Sequence, residues 1–416
     1  MSYMKQAVFL ATAIGCFGFT AFGGDWPMWR CDPGRTACSP DELPTELHLL
    51  WERTYTPRVP AWEDPLNQDL MPFDRVFEPI VLDGLLFIGF NDADKVVALD
   101  TATGQERWTF HTEGPVRLPP VAGKGKVYFA CDDGYLYCLH AKRGTLIWKF
   151  RGGPSDRRVL GNSRLISMWP ARGGPVLADD KVYFGAGIWP FMGIFLYCLD
   201  AETGKVVWEN DGTGARYMLQ PHNAPSFAGV APQGAFAVDG DRLLVSSGRA
   251  VPACFSRSTG DFIYYFPAEN NKTGGSFVCA ADGLFFNHHR EKVTSLYDAE
   301  TGTVLVRTIG RIPVVTTDMY YFSGPAVTAV DAGRLRNNFE SWVDSKVWEI
   351  PVDASGDLIR SGDRLYAAGS GRITGIDLGS GDGQPKIAWM KADSGDVDRL
   401  LAADGKLFAV TLEQML

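Results

Sequence analysis

The sequence predicts an all-β fold: an eight-bladed β-propeller of four-stranded blades, with an N-terminal strand closing the last blade. Three observations point there. One turn pattern recurs along the chain, and short apolar runs flank its copies. The copies stand about 40 residues apart, stretched to about 60 by insertions, which is the period of a propeller blade rather than of a helical solenoid.

The fullest copy is Asp200-Ala201-Glu202-Thr203-Gly204-Lys205-Val206-Val207-Trp208, entered by the apolar run Phe195-Leu196-Tyr197-Cys198-Leu199. It reads as strand, tight turn, strand. The Asp and Thr side chains can bond nearby backbone N–H groups, and Gly204 supplies the positive φ that a tight reversal needs. The turn at 100–104 leads in the same way to Trp108, that at 140–144 to Trp148, that at 256–260 to Tyr264 and that at 298–302 to Val306. Two copies are degraded. Asp331 reaches Trp348 only through an insertion rich in Arg and Asn, and the turn at 377–381 reaches Trp389. Within a blade the strands are apolar on both faces, as 126–130 and 135–139 show, and Asp-Gly pairs such as Asp83-Gly84, Asp239-Gly240 and Asp404-Gly405 mark hairpin turns. The aromatic residue after each turn is expected to wedge between blades as core.

Closure is expected from the two ends of the chain. Leu47-His48-Leu49-Leu50-Trp51-Glu52 resembles a lone outer strand with a docking Trp, while residues 398–410 supply the first strands of a blade and no Trp. Joining them gives docking positions Trp51, Trp108, Trp148, Trp208, Tyr264, Val306, Trp348 and Trp389, hence eight blades. A third strand of the last blade is expected after Thr411. An unclosed ring would leave strand edges unpaired.

A net charge of −9 and a pI near 5.3, without a basic stripe, argue against a nucleic-acid partner. Residues 1–23 read as a secretory signal, with Lys5 before an apolar stretch and Ala21-Phe22-Gly23 at the cut, leaving one domain over 24–416 that is periplasmic or otherwise extracytoplasmic. The apolar stretch is short for a membrane span, and none is expected in the mature chain. Ala13-Ile14-Gly15-Cys16 is a poorer match to a lipoprotein box that would lipidate Cys16. Cys31 and Cys38 flank a turn-rich loop and are the candidate disulfide, whereas Cys138, Cys198 and Cys254 share one repeat position and read as small buried residues. No Cys/His spacing suggests a metal site.

The repeat resembles the tryptophan-docking repeat of β-propellers named after pyrroloquinoline quinone (PQQ), over roughly residues 26–416. That resemblance implies the propeller, and it implies two kinds of function, because the family includes both outer-membrane assembly scaffolds without cofactor and quinone-dependent dehydrogenases. A dehydrogenase would hold PQQ over the channel with Ca²⁺ on carboxylate and amide oxygens and an Asp base. No adjacent cysteine pair is present, and no Asp, Glu or Asn maps onto the family's metal site. Longer relatives continue into a methyltransferase-like domain, so the chain reads either as a monomeric propeller or as a fragment of a larger protein.

Three insertions interrupt the repeat, at 57–76, 151–175 and 216–234, and long loops on a rigid scaffold commonly carry function. With the stretch Ile188-Trp189-Pro190-Phe191-Met192, the last two nominate a face pocket with Trp169 and Trp189 as apolar walls, Arg172, Gln220, His222 and Asn223 as polar contacts, and Arg158 and Met218 as further members. Plugging of the central channel is the competing role for these loops. His288-His289 lies on a strand whose alternation points the two rings to opposite faces. The reading of the whole is an exported, non-catalytic scaffold for a protein partner, with no cofactor expected. A PQQ- and calcium-dependent dehydrogenase is the alternative, and a carbohydrate or small-molecule binder is a third possibility. An exposed Trp169/Trp189 pair would favour the last.

Overall fold

The computed structural model describes residues 24–62, 73–220, 223–248, 250–267, 273–289, 293–379, 384–392 and 395–412. The secretory segment, Cys16 and His222 lie outside them. In the copies that carry both Asp and Thr the turn forms as its residues dictate. Asp200 Oδ1 accepts from the Thr203 N–H at 2.9 Å and from its hydroxyl at 2.7 Å, and the Gly204 N–H donates to Asp200 O at 2.8 Å. Asp100 with Thr103 and Asp298 with Thr301 repeat the geometry. Around these turns the repeat builds six four-stranded antiparallel sheets, spanning residues 80–111, 121–151, 173–210, 237–264, 273–310 and 313–350. A seventh, at 357–392, carries a fifth strand, Cys38–Ser39, paired in parallel with Asp357–Ser361. An eighth has two strands among the described residues, Val397–Ala403 and Lys406–Thr411.

Neighbouring sheets are joined by one contact repeated. At five joints an aromatic ring lies over the turn glycine of the next sheet: Trp51 over Gly104, Trp108 over Gly144, Trp148 over Gly204, Trp208 over Gly260 and Tyr264 over Gly302. A Cβ on any of these glycines would come within 2.5–2.8 Å of the ring. Their φ values lie between +65° and +78°, so two separate constraints demand glycine there. The polar tip of the aromatic is satisfied across the same joint, as Trp51 Nε1 donates to Thr101 O at 2.9 Å, Trp108 Nε1 to Ala141 O at 2.7 Å and Trp208 Nε1 to Arg257 O at 2.8 Å. At Trp148 the matching carbonyl, Ala201 O, is taken by the Tyr128 hydroxyl instead. The chain of joints changes after Val306, because the next turn is replaced by a helix, Ala332–Asn337, capped by Asp331.

Several expectations need correction. The docking residues are not uniformly core: Trp208, Tyr264 and Val306 are buried, whereas Trp51, Trp108, Trp148, Trp348 and Trp389 keep part of their surface exposed, because the outermost strand has solvent on its far side. Residues 47–52 do not form a strand. An outer strand hydrogen-bonds to the third strand of its sheet, and no third strand is described in the eighth. Trp51 nevertheless occupies the docking position, 5.8 Å from the Phe408 ring. Cys31 and Cys38 are free thiols. Their loop is closed by backbone instead, through Ala37 N–H to Arg30 O at 2.9 Å and Arg35 N–H to Asp32 O at 3.0 Å.

The segment before the first sheet lines the axis. Its carbonyls accept amides from the sheets in turn: Gly24 O from Asp404 in the eighth, Trp26 O from Val81 in the first, Pro27 O from Ala122 in the second, Pro33 O from Val238 in the fourth, Gly34 O from Ala280 in the fifth, Thr36 O from Val315 in the sixth and Ala37 O from Arg360 in the seventh, all at 2.7–3.0 Å. The third sheet is reached by a side chain, Arg35 Nη2 to Pro175 O at 3.0 Å.

The joint makes a testable statement. Gly144→Ala adds both left-handed strain and a clash with Trp108, and is expected to cost about 2–4 kcal/mol. Gly125→Ala, at φ +72° with open space around it, adds the strain alone, about 1–2 kcal/mol. Urea denaturation of the two variants side by side measures the difference, and equal losses would refute the docking role assigned to the glycine.

Candidate interaction face and axial channel

The three insertions precede the first strands of their sheets and so meet at the end of the molecule opposite the Asp-Thr-Gly turns. Side-chain bonds tie them together. Trp62 Nε1 donates to Gln233 Oε1 at 2.8 Å, Asn162 Nδ2 donates to Ala61 O at 2.5 Å, and Trp62 meets Trp189 edge-on at 6.3 Å.

Beneath them lies a buried ionic network. Asp132, in a hairpin turn of the second sheet, accepts from Arg117 Nε at 2.6 Å and from Arg172 Nε and Nη2 at 2.7 and 2.8 Å. Arg117 also reaches Asp74 Oδ2 at 2.6 Å, Asp74 accepts the Ala61 N–H at 2.9 Å, and Arg172 continues to Asn162 Oδ1 at 2.8 Å. Arg58 donates to three carbonyls, Asp74 O, Gly89 O and Arg117 O. Burial alone would raise the Asp132 carboxyl, but Arg172 and Arg117 outweigh it and hold the group below the usual carboxylate range. The network links the bases of the insertions at 57–76 and 151–175.

The nominated pocket does not assemble. Trp169 is only 7% exposed and its indole N–H is bonded to Met192 O at 2.8 Å. Arg172 is fully buried in the network, and Arg158 lies at the surface against Glu113. Met218, Gln220 and Asn223 belong to a hairpin, Arg216–Leu219 with Pro225–Ala228, whose turn is closed by Asn223 N–H to Gln220 O at 2.9 Å. What the insertions present instead is apolar and exposed. Tyr217 and Phe227 pair edge-on at 5.2 Å across that hairpin and are 65% and 69% exposed. Trp189 and Phe191, in and beside the short turn Pro190–Met192, are 44% and 73% exposed, and Leu160 and Leu165 crown a second hairpin, Arg158–Gly161 with Arg164–Ser167. Alternation along the strands at 216–219 and 225–228 was the available signal for this surface.

The axial channel holds a second charged group that sequence reasoning missed. A cavity of about 120 Å³ is lined by Trp26, Trp29, Arg30, Glu78, Asp357 and Arg399 among others. Arg399 Nε donates to Glu78 at 2.6 Å and its Nη1 to Asp398 at 2.8 Å, while Arg30 stands 3.7 Å from Asp357. Burial pushes the Glu78 carboxyl up to about 7 despite Arg399. His288 is buried against this channel, 5.6 Å from Phe277, rather than on the surface or between blades; the His289 side chain lies outside the described residues. The signal was present in the charges of Glu78 and Asp398-Arg399, which interrupt apolar strand starts.

A family model described as outer membrane protein assembly factor BamB matches residues 49–217 and 194–415, nearly the whole chain. The chain belongs to that family of PQQ-like repeat propellers. It is 22% identical over 245 residues to the outer membrane protein assembly factor BamB of Nitrosomonas eutropha, covering 53% of this chain and 57% of that protein. It is 33% identical over 142 residues to the dehydrogenase subunit of the quinone alcohol dehydrogenase of Gluconobacter oxydans. That match spans 31% of this chain and 18% of the dehydrogenase, less than a fifth of its length. In fold, the chain is similar to the crystal structure of the quinohemoprotein alcohol dehydrogenase of Comamonas testosteroni, with a TM-score of 0.59 over 93% of this chain and 76% of that one at 13% identity.

The channel does not fit the quinone and calcium that the dehydrogenase branch implies. Its cavity is well below the roughly 300 Å³ at which small-molecule sites begin. Glu78, Asp357 and Asp398 are each engaged by an arginine, and among the described residues no three His, Cys, Asp or Glu side chains converge as a metal cage. Among the same residues no helix is long and apolar enough to cross a membrane.

Two measurements probe the charged groups. Asp132→Asn strands Arg117 and Arg172 with weakened pairing and is expected to lower stability by about 3–5 kcal/mol, with earlier proteolytic cleavage in residues 151–175. Unchanged urea denaturation would show that the network is dispensable. The raised Glu78 pKa means that the folded state holds a proton which the unfolded state has lost above about pH 4.5. Its contribution to stability is therefore present below that pH and fades as pH rises through about 7. Thermal melts at pH 5 and pH 8 should differ less for Glu78→Gln than for the parent chain.

Proposed function

We propose that this protein is an exported, non-catalytic scaffold: an eight-bladed propeller, closed by Trp51, that binds a protein partner through its insertion face. The observation that carries this reading is the exposed aromatic surface of Tyr217, Phe227, Trp189 and Phe191, on the hairpin Arg216–Leu219 with Pro225–Ala228 and the turn beside Pro190–Met192. Exposed clusters of Tyr, Trp and Phe above a rigid base are characteristic of protein-binding surfaces. Family membership supports the reading, since the matching model is described as an assembly factor. The expected setting is periplasmic or otherwise outside the cytoplasm, with residues 24–416 as one domain and no nucleic-acid partner.

The dehydrogenase alternative draws on the 33% identity to the alcohol dehydrogenase subunit, and the occupied channel weighs against it. A carbohydrate platform would need Trp169 beside Trp189 at the surface, and Trp169 is buried.

The test has two arms. Titration with PQQ and Ca²⁺, followed by fluorescence and alcohol-dependent dye reduction, is expected to show no saturable binding and no turnover; binding with turnover would replace the scaffold by the enzyme. A photo-crosslinking residue at Tyr217 or Phe227 in cells of the source is expected to trap a discrete protein. With the photo-crosslinking residue moved to the exposed Ser226, the double variant Tyr217→Ser/Phe227→Ser should lose that adduct without a shift in melting, as both side chains are exposed.

A further inference from the structure

The axis that the segment at 24–37 lines keeps a cavity of about 120 Å³ beside Glu78, and the groups around it do not balance in charge. Four arginines line it, Arg30, Arg75, Arg311 and Arg399, against the three carboxylates of Glu78, Asp357 and Asp398. Each carboxylate is engaged. Asp398 meets Arg75 at 3.1 Å and Arg399 at 2.8 Å, Glu78 accepts from Arg399 Nε at 2.6 Å, and Asp357 accepts the Leu358 and Leu400 N–H groups at 2.9 and 2.8 Å. Two guanidiniums keep donors to spare. Among the described residues, Arg311 makes one bond, Nη1 to Ser355 O at 3.2 Å, and Arg399 Nη2 has no partner.

The lining is buried where the charge is densest. Arg30, Asp357 and His288 are 5%, 7% and 3% exposed, and Trp26, Trp29 and Phe277 form apolar walls. Arg75, half-buried Arg311 and exposed Ser355 bring the cavity to the surface at the insertion end. Arg399 serves both Glu78 and Asp398, so the lining supplies its own cation, and what it lacks is an acceptor. A surplus of positive charge held away from water is stabilised by an anion that brings its own hydrogen-bond acceptors. In volume the cavity corresponds to about four molecules of liquid water.

We propose that this cavity binds one small oxyanion, an inorganic tetrahedral anion or a short carboxylate, on the spare donors of Arg311 and Arg399. Both kinds of anion spread negative charge over several oxygens, which is the pattern that the planar fork of a guanidinium meets with parallel N–H donors. The apolar walls keep water from competing for those donors, and the size of the cavity limits the ligand to a few heavy atoms. The ionised Glu78 carboxylate, which faces the same space beside Asp398 and Asp357, opposes the anion. This site goes beyond the scaffold reading and does not depend on it.

The probes are radiolabelled sulfate and radiolabelled oxalate, each followed by equilibrium dialysis against the full chain at pH 8 and constant ionic strength. Saturable binding of one equivalent is expected for at least one of them, and the tighter of the two tells an inorganic anion from a carboxylate. Arg311→Gln, at the mouth of the cavity, should weaken that binding about tenfold. Glu78→Gln should strengthen it, because at pH 8 the substitution removes a carboxylate charge that faces the anion. A general loss of fold would lower binding in both variants, so shifts of opposite sign belong to the site itself. No saturable binding of either probe overturns the proposal, as does binding that Arg311→Gln leaves unchanged, which would place the anion elsewhere on the protein.

Discussion

The structure depends on a hydrogen-bonding constraint at its axis. The inner strand of every sheet presents backbone amides to a narrow channel, where an unpaired N–H would cost on the order of 1–3 kcal/mol. Residues 24–37 meet that need at seven sheets by giving each a carbonyl, while at the third sheet Arg35 donates to the Pro175 carbonyl instead. The segment cannot itself be a repeat, since its seven sheet-bonded carbonyls each meet a different sheet. Its composition follows from this winding path. Arg30, Cys31, Arg35 and Ala37 all have positive φ, and Arg30 and Arg35 use guanidinium groups to reach carbonyls that the backbone does not.

A filled axis moves the opportunities for recognition to the rim. Three insertions precede the first, third and fourth sheets, and the Asp74, Asp132, Arg58, Arg117 and Arg172 network fixes the bases of the first two. In a buried setting such a network gains by having every group satisfied, and Arg172 Nη1 is the atom within it that has no protein partner. The geometry separates two jobs. Charge holds the loops in place, and exposed aromatic rings at their tips remain free for contact.

Local rules made the repeat readable. Asp-x-x-Thr-Gly states its own turn, and an aromatic four residues after the glycine falls on the outer strand, so Trp108, Trp148, Trp208 and Tyr264 were placed from spacing alone. Their partners were not, because the glycine beneath each ring belongs to the next copy, and no rule of sequence distance says which residue it meets. Residues 47–52 show the same limit from the other side: the docking Trp was legible, while its strand depends on a neighbour that the pattern did not supply. The pocket reading failed for Trp169 and Arg172 because polarity and aromaticity in a loop do not reveal burial. Nothing in the local sequence around Asp132 marks it as an ionic centre, because its two arginine partners lie 15 and 40 positions away.

The winding of the first segment has a kinetic side. Each sheet pairs strands that are close in sequence and can form as a local unit, whereas Gly24 is bonded to Asp404 and Ala37 to Arg360. Contacts of such long sequence separation close late, after loop entropy has been reduced by the intervening structure. The segment made first is therefore among the last to settle. Until then the inner amides of seven sheets lack the carbonyls that this segment gives them and stay open to water. The time the first segment takes to settle therefore sets how long those inner strand edges stand exposed.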